Sequence, residues 1–237
     1  MNGGSFNEVD DLNNIQDWIN VYENTDLMEN IRKYQNESYP MSMENLNKAT
    51  NINILRSEIF CEAEEQIKNN YQENMFYLEA PTGSGKSNTA INASFKLMQH
   101  DDRLQKIFYI YPFNTLVEQN ESILRKIFGE NPEAIEQIKV VNSITPIYQT
   151  EVKEENEKYV TACQKALLDR QFFNYPIAVS THVTLFRTMF GDNREDAFSF
   201  HQLANSVIVL DEIQSYRNEI WTEIIVFLKM FAKLLHM

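Results

Sequence analysis

Apolar residues recur at helical spacing in two stretches of the first third of the chain. They do so over residues 12–22 and again, in a longer stripe, from residue 52 to residue 67. Steps of three and four residues place such side chains on one face of a helix. The pattern predicts an amphipathic helix over residues 12–22 and a longer helix that ends near Asn69 and Asn70. The polar residues 35–53 predict a connector with at most a short helix.

Beyond residue 75, short apolar runs alternate with segments of helical spacing. The apolar runs predict strands at residues 75–78, 106–111, 138–142, 176–180 and 206–210. The other segments predict helices at residues 88–98, 115–128, 158–173, 183–190 and 220–235. The charged residues 151–158 predict a solvated loop or helix face. Alternation of strands and helices is the pattern of a parallel sheet with helices on both faces, so we expect an α/β fold.

Composition and charge restrict the class of protein. Hydrophobic residues make up 43% and charged residues 23% of the 237-residue chain, as in ordinary folded proteins. The net charge of −13 argues against a broad electrostatic face for nucleic acid, although a narrow track of hydroxyls and backbone amides stays possible.

The cysteines and the apolar segments bear on the compartment. Cys61 and Cys163 are the only cysteines and stand far apart, which disfavours a structural zinc site or a disulfide framework. Residues 1–10 lack the apolar core of a secretory signal, and residues 224–237 are shorter than the ~18 apolar residues of a membrane span. We expect a soluble, cytoplasmic protein that does not associate with a membrane.

A glycine-rich loop lies between the first of these strands and the helix predicted from residue 88. Gly83 and Gly85 allow positive φ angles and a close approach of backbone N–H groups to phosphate oxygens. Lys86 is placed to reach the β and γ phosphates, and the Ser87 hydroxyl to ligate Mg²⁺. The predicted nucleotide-binding residues are Ala80, Pro81, Thr82, Gly83, Ser84, Gly85, Lys86 and Ser87.

Two acidic residues follow the buried strand predicted at residues 206–210. In a phosphate-loop protein, Asp211 at this place would hold Mg²⁺ through its water shell. Glu212 would orient and deprotonate the water that attacks the γ-phosphate. The sequence therefore predicts Lys86, Asp211 and Glu212 as catalytic residues, with Ser87 and Asp211 as the metal-binding pair.

Four stretches, taken in order, resemble one known family. They read A-P-T-G-S-G-K-S at residues 80–87, Y-P-F-N-T-L at 111–116, V-S-T-H-V-T-L-F at 179–186 and L-D-E-I-Q-S-Y at 210–216. Together they resemble the first lobe of the helicase component of type I CRISPR systems, a superfamily 2 enzyme that unwinds and degrades targeted DNA. The resemblance spans residues 52–235. It implies a RecA-like phosphate-loop domain over residues 51–237, preceded by a short helical or linker segment over residues 1–50.

The resemblance also implies further site residues. Gln214 would couple the nucleotide state to the DNA track, although an exposed glutamine without a role is the alternative. Arg56 lies where the family often recognises adenine, and a surface arginine is the simpler interpretation. The residues implied to contact one DNA strand are Pro112, Asn114, Thr115, Ser180, Thr181 and His182. Alternatively, Pro112 only ends a strand and Thr181 only caps the following helix.

Several parts of such an enzyme are not found in these 237 residues. By the resemblance, three parts lie outside this chain: the motif that links hydrolysis to unwinding, the second helicase lobe with its arginine finger, and the nuclease domain. The resemblance also implies a CRISPR surveillance complex as partner. Two functions stay open. The chain is the ATP-binding lobe of a DNA helicase in CRISPR antiviral defence, or of another superfamily 2 helicase. Alternatively, it is a nucleotide-binding or interaction module with little turnover. In either case we expect part of the apolar face of residues 220–235 to be exposed.

Overall fold

The computed structural model describes residues 14–129, 132–141, 173–192, 194–215 and 221–237. The helices before the sheet are α1 (Asn14–Glu23), α2 (Asp26–Glu37), α3 (Met43–Lys48), α4 (Ile52–Asn70) and α5 (Lys86–His100). The strands are β1 (Lys106–Tyr111), β2 (Ile138–Val141), β3 (Ile177–Thr181) and β4 (Ser206–Leu210). The helices among and after them are α6 (Asn114–Ile127), α7 (Pro132–Gln137), α8 (His182–Phe190), α9 (Arg194–His201) and α10 (Trp221–Leu235), with a short 3-10 helix at Ile213–Ser215.

The four strands form one parallel sheet in the order β2-β3-β1-β4. Every residue of β1 and β3 is buried, as is usual for the central strands of a parallel sheet covered on both faces. Because β1 pairs with both β3 and β4, their carboxyl ends meet at one edge of the sheet. Tyr111 lies opposite Thr181, and Ile110 lies opposite Leu210. This edge carries the polar residues that follow the strands.

Alternate strand residues point to opposite faces of the sheet and belong to two separate cores. Ile107, Tyr109 and Val179 point to the first face, where they pack with α1, α2, α4, α5 and α6. Phe108 and Ile110 point to the second face, where they pack with α8 and α10. The resulting layers, helices then sheet then helices, are those of an α/β domain.

The helices α1 and α2 join the first core through both apolar and charged contacts. Trp18 and Ile31 are buried in the same cluster as the strand residues. Arg32 of α2 donates to Glu23 of α1 at 3.0 Å and to Glu64 of α4 at 2.9 Å. Lys96 of α5 donates to Glu23 at 2.6 Å. The N-terminal helices are therefore fastened to the helix that follows the glycine-rich loop.

The structure confirms the predicted fold class, an α/β, RecA-like domain with a mostly parallel sheet preceded by helices. The strands predicted at 106–111 and 206–210 have the predicted bounds, and β2, β3, α1, α4, α5, α6, α8 and α10 lie within a few residues of theirs. The connector at residues 35–53 contains the short helix α3. The helices α2, α7 and α9 were not predicted. The predictions for residues 151–158 and 158–172 lie outside the described residues.

The strand predicted at residues 75–78 is wrong. This run, which reads M-F-Y-L, has no regular secondary structure, and all four side chains are exposed. A strand needs a neighbour for its backbone hydrogen bonds, and within the described part of the chain none lies beside these residues. The apolar run alone therefore predicted a strand, but no described strand pairs with it.

In the described part of the chain, no helix combines the length and the apolar character needed to cross a bilayer.

Candidate functional site

The glycine-rich loop has the backbone that its sequence predicts. Gly83 and Gly85 adopt φ angles of 79° and 87°, in the left-handed region where a side chain would be strained. Gly85 is the N-cap of α5, so the first turn of this helix presents N–H groups that the helix itself leaves unpaired. The N-terminus of α5 also carries a partial positive charge. Backbone donors and helix dipole together form a site suited to phosphate groups.

Arg56 of α4 holds this loop from one side. Its Nε donates to the Gly83 carbonyl at 2.9 Å, and its Nη1 donates to the Asn53 side chain at 3.2 Å. The guanidinium therefore bridges α4 and the glycine-rich loop. The sequence offered adenine recognition or a plain surface arginine for this residue. The observed contact is with the loop backbone.

The acidic residues lie at the carboxyl end of β4, facing the loop. The Asp211 N–H donates to the Ile110 carbonyl at 3.0 Å, which continues the sheet by one residue. Glu212 then turns into the left-handed region with a φ of 50°, a conformation that costs about 1 kcal/mol for a residue with a side chain. The Ser215 N–H and hydroxyl both donate to the Glu212 carbonyl, at 2.8 Å and 2.7 Å, and hold this turn.

The two halves of the predicted site meet through Lys86 and Glu212. The Lys86 Nζ atom lies 3.9 Å from Oε1 of Glu212, and Oε2 of Glu212 accepts a hydrogen bond from the Gln214 amide. Gln214 is thus placed against the acidic residue rather than pointing away from the site. The structure brings together Lys86, Glu212 and Gln214, and Asp211 directly precedes Glu212 in the chain.

Partial burial changes the acidity of Asp211. Desolvation raises the pKa of its carboxyl group above the ordinary value, and the nearby Glu212 raises it further. The Glu212 N–H, which donates to Asp211 at 2.9 Å, and the charge of Lys86 act in the opposite direction. A bound divalent cation would favour the ionised carboxylate, so this group is suited to bind Mg²⁺ in competition with a proton.

A cavity of about 900 Å³ opens over the loop. Lys86, Ser87 and Glu212 contribute to its wall, and so do residues of α2 and α4. The buried Ser84 hydroxyl has no hydrogen-bond partner among the described residues and belongs to the same wall. An ammonium group, a hydroxyl, helix N–H groups and a carboxylate are the donor set that a Mg²⁺-bound nucleoside triphosphate requires. The residues present therefore fit these two ligands, and Ser87 with Asp211 would hold the metal.

One wall of this cavity was missed by the reasoning from sequence. Leu27, Ile31 and Tyr34 of α2 line it together with Arg56 of α4. The available signal was the spacing of Leu27, Met28, Ile31 and Tyr34, which is that of a helix face. The helix α2 therefore does more than support the core, because it shapes the space beside the loop.

The residues predicted to contact a nucleic acid strand lie at the ends of β1 and β3. Thr181 ends β3 and is the N-cap of α8, with its hydroxyl accepting from the Thr184 N–H at 3.4 Å. Ser180 is fully buried, and its hydroxyl donates to the Val141 carbonyl of β2. Both residues therefore have structural contacts here, in line with the alternative that Thr181 caps the following helix.

Three of the other members of this group are more accessible. Pro112 is buried directly after β1, whereas Asn114 is half-buried and Thr115 is exposed in the first turn of α6. His182 is half-buried at the start of α8, and its ring lies 6.0 Å from that of Phe186. The parallel pairing of β1 and β3 places these two helix starts side by side at the edge that also carries Asp211.

Comparison with known proteins supports the same assignment. The chain is 24% identical over 151 residues to the CRISPR-associated nuclease/helicase Cas3 of Haloferax volcanii. The aligned part covers 61% of this chain and 16% of that relative. The chain therefore spans only a small part of the length of this relative, and the similarity is to a Cas3-like first RecA lobe. The sequence profile of the family described as DEAD/DEAH box helicase matches residues 62–234, which is well over half of the chain. The protein belongs to the DEAD/DEAH box helicase family.

Proposed function

We propose that this protein is the ATP-binding lobe of a DNA helicase that acts in CRISPR antiviral defence in the cytoplasm. The proposal rests on the proximity of the phosphate loop to the acidic residues that follow β4. Lys86 Nζ lies 3.9 Å from Glu212 Oε1 at a cavity that has the donors for a triphosphate. Membership of the DEAD/DEAH box family accounts for the nucleotide, and the similarity to Cas3 supports DNA and CRISPR defence.

Each residue of the site has a role in this proposal. Residues 80–87 wrap the phosphates, with Lys86 beside the β and γ groups. Ser87 and Asp211 would hold Mg²⁺, which would neutralise phosphate charge. Glu212 orients and deprotonates the attacking water, and Gln214 transmits the nucleotide state to the DNA track.

One DNA strand would cross the carboxyl edge of the sheet at the starts of α6 and α8. Asn114, Thr115 and His182 offer polar groups there, supported by Pro112, Ser180 and Thr181 beneath them. Contacts of this kind position a phosphate backbone without a basic surface, which suits a chain with a net charge of −13. In this proposal, residues 1–50 form a helical N-terminal segment and residues 51–237 form the lobe.

A second candidate is a nucleotide-binding module with little turnover. The observation that favours it is the engagement of Glu212, whose two carboxylate oxygens face Lys86 and Gln214. An arginine finger from a second lobe is worth about 10³ to 10⁵ in rate in related enzymes. We propose that the second lobe, a nuclease domain and a CRISPR surveillance complex act together with this lobe.

Titration calorimetry with Mg-ATP tests the nucleotide site. We expect binding by the unchanged chain, loss of binding in Lys86→Ala, and retained binding in Glu212→Gln. Lys126→Ala, which removes an exposed lysine of α6, is the matched control and should bind normally. Loss of binding in Glu212→Gln would show that Glu212 is structural rather than a base.

Steady-state hydrolysis tests the low-turnover candidate. We expect weak or no DNA-stimulated hydrolysis from the isolated chain. Robust DNA-dependent turnover that disappears in Lys86→Ala would contradict the low-turnover candidate.

Anisotropy of a labelled single-stranded DNA tests the strand track. Thr115→Glu should weaken binding at least about fivefold, because a carboxylate at this edge repels phosphates. Gln119→Glu introduces the same charge on the exposed side of α6, one turn further along, and should have a smaller effect. Equal effects of both changes would argue against a track at the sheet edge.

A further inference from the structure

Arg56 reaches from α4 to the backbone of the phosphate loop, residues 80–87. Its Nε donates to the Gly83 carbonyl at 2.9 Å. Its aliphatic stem lies beside Gly85, since a methyl group added at Gly85 would lie 3.8 Å from Cγ of Arg56. One side chain therefore lies next to both glycines of the loop that have positive φ angles.

The guanidinium of Arg56 is itself held in place. Its Nη1 donates to the Asn53 side chain at 3.2 Å, one turn earlier in α4. Asn53 is fixed in the first turn of α4, because its own N–H donates to the N-cap residue Asn51 at 3.0 Å. A guanidinium is planar and presents its donors in a rigid fork, so two hydrogen bonds set its orientation. Arg56 is therefore an oriented donor, unlike a surface cation that rotates in solvent.

The Gly83 carbonyl belongs to a tight turn. The Ser84 N–H donates to the Pro81 carbonyl at 3.2 Å, and Gly83 has a φ of 79° at the third position, as in a type II turn. The carbonyl and the N–H group of one trans peptide point in opposite directions. The Gly83 carbonyl and the Ser84 N–H share one peptide unit, so the hydrogen bond from Arg56 fixes the direction of both.

Glycine gives this loop several accessible backbone arrangements. Because glycine adopts φ angles of either sign, the peptide units at Gly83 and Gly85 can rotate at little cost. A carbonyl oxygen turned towards the phosphate site would repel an anion, and a loop without fixed order would lose entropy when it binds. A charge-assisted hydrogen bond to the Gly83 carbonyl favours the observed arrangement over the others.

We propose that Arg56 is a positioning residue for the phosphate loop, which it orders before the nucleotide binds. It raises the affinity for the phosphate groups and leaves recognition of the base to other residues. Asn53 supports this role because it orients the guanidinium. The proposal rests on the proposed function, since it takes the loop to be the phosphate-binding site. It applies to any ligand that carries the phosphate chain, with or without a base.

Titration calorimetry with two probes tests the proposal. The probes are Mg-ATP and Mg-tripolyphosphate, which has the phosphates but no base. Arg56→Met keeps the aliphatic stem and removes every donor, and should weaken the binding of both probes by the same factor, at least about fivefold. Asn53→Ala keeps the charge of Arg56 but removes its orienting partner, and should weaken both about threefold. Lys68→Ala, which removes an exposed cation from the same helix, is the matched control and should bind both probes normally.

Four outcomes overturn the proposal. Weaker binding of Mg-ATP with unchanged binding of tripolyphosphate would assign Arg56 to the base. Unchanged binding of both probes by Arg56→Met would make it a plain surface arginine. Weaker binding in Arg56→Met with unchanged binding in Asn53→Ala would mean that its charge acts directly on the phosphates. A lower urea midpoint in Arg56→Met than in Lys68→Ala would mean that it stabilises the whole fold.

Amide hydrogen exchange in the nucleotide-free chain, followed by NMR, separates this proposal from the proposed function. The Ser84 N–H should exchange at least about threefold faster in Arg56→Met than in the unchanged chain and in Lys68→Ala. Equal exchange rates in the three chains would overturn the positioning role even if Mg-ATP binds. If the unchanged chain binds neither probe, the proposed function is contradicted, whereas faster exchange at Ser84 would still show that Arg56 orders the loop.

Discussion

The first face of the sheet, beneath α5, and the second face, beneath α10, are covered by different kinds of contact. On the first face Phe95 lies between Tyr22 and Phe128, with ring centroids 5.2 Å and 6.0 Å away, and all three are almost fully buried. On the second face Phe227 contacts Phe231 at 4.2 Å and the half-exposed Phe190 at 4.7 Å. Both faces use aromatic rings, but the rings that α10 contributes to the second face are only half-buried.

The charged contacts differ in the same way. The first face has the linked group Glu23, Arg32, Glu64 and Lys96, which joins four helices. On the second face, the described part of α10 instead exposes Val226, Met230 and Leu234, which confirms that part of its apolar face is exposed. The face with the linked charged group therefore carries α5, the helix that follows the phosphate loop.

Truncation of a core phenylalanine should separate the two faces most strongly. We expect Phe95→Ala to lower the free energy of unfolding by about 4 kcal/mol, because it leaves a cavity in a sealed core. Phe227→Ala removes the same atoms from a half-buried site and should cost about 2 kcal/mol. Urea unfolding followed by circular dichroism measures both values. Equal losses would show that the two faces are packed alike.

Removal of Arg32 tests the charged group on the first face. Arg32→Ala should lower the free energy of unfolding by about 2 kcal/mol, because Glu23 and Glu64 would each lose a partner in a partly buried place. The matched control is Lys48→Ala, which breaks the exposed pair with Glu44 and should cost less than about 0.5 kcal/mol. A cost for Arg32→Ala as small as the control would mean that apolar packing alone holds α2.

The pH dependence of Mg-ATP binding tests Asp211 at the edge shared by the two faces. Burial raises the pKa of this carboxyl, so a proton should displace Mg²⁺ at a higher pH than for an ordinary aspartate. We expect the Mg²⁺-dependent part of the affinity to fall as pH decreases through this raised pKa. Asp211→Asn should bind Mg-ATP at least about tenfold more weakly at neutral pH.

The same variant gives a second measurement. Because folding raises this pKa, the ionised group destabilises the fold above it, and that cost disappears as pH falls. Asp211→Asn should therefore be at least as stable as the unchanged chain near pH 7. If the affinity for Mg-ATP falls equally steeply with decreasing pH in both proteins, Asp211 does not bind the metal.

The exposed stripe of α10 should affect association more than stability. We expect the unchanged chain to self-associate with increasing concentration, since Met230 is 65% exposed among other apolar side chains. Met230→Lys should reduce this association and change the free energy of unfolding by less than about 0.5 kcal/mol. Lys229→Ala on the same helix is the control. A chain that light scattering shows to be monomeric at every concentration would contradict this prediction.

The parts that could be predicted from sequence depend on local or continuous signals. The strand at 106–111 was predicted with its observed bounds because its apolar run is unbroken and ends at Pro112. Gly83 and Gly85 predicted a left-handed loop because glycine adopts positive φ without strain. The helix α2 was not predicted because its sequence is rich in polar residues. Its stability depends on the Thr25 N-cap and on the burial of Met28 and Ile31.

Residues 75–78 show the opposite error. Their apolar pattern predicted a strand, but strand pairing depends on a neighbour that the pattern does not contain. Arg56 is similar, because no spacing in the sequence indicates that its guanidinium reaches the Gly83 carbonyl 27 residues later.

By itself, the sequence determined the chemistry of this protein: a phosphate loop, an acidic pair after a buried strand, and an α/β alternation. These features are local, so a few adjacent residues specify them. The tertiary structure alone decided which groups meet. It placed Lys86 against Glu212 and brought α2 to the wall of the cavity, because such contacts depend on the distance between segments after folding.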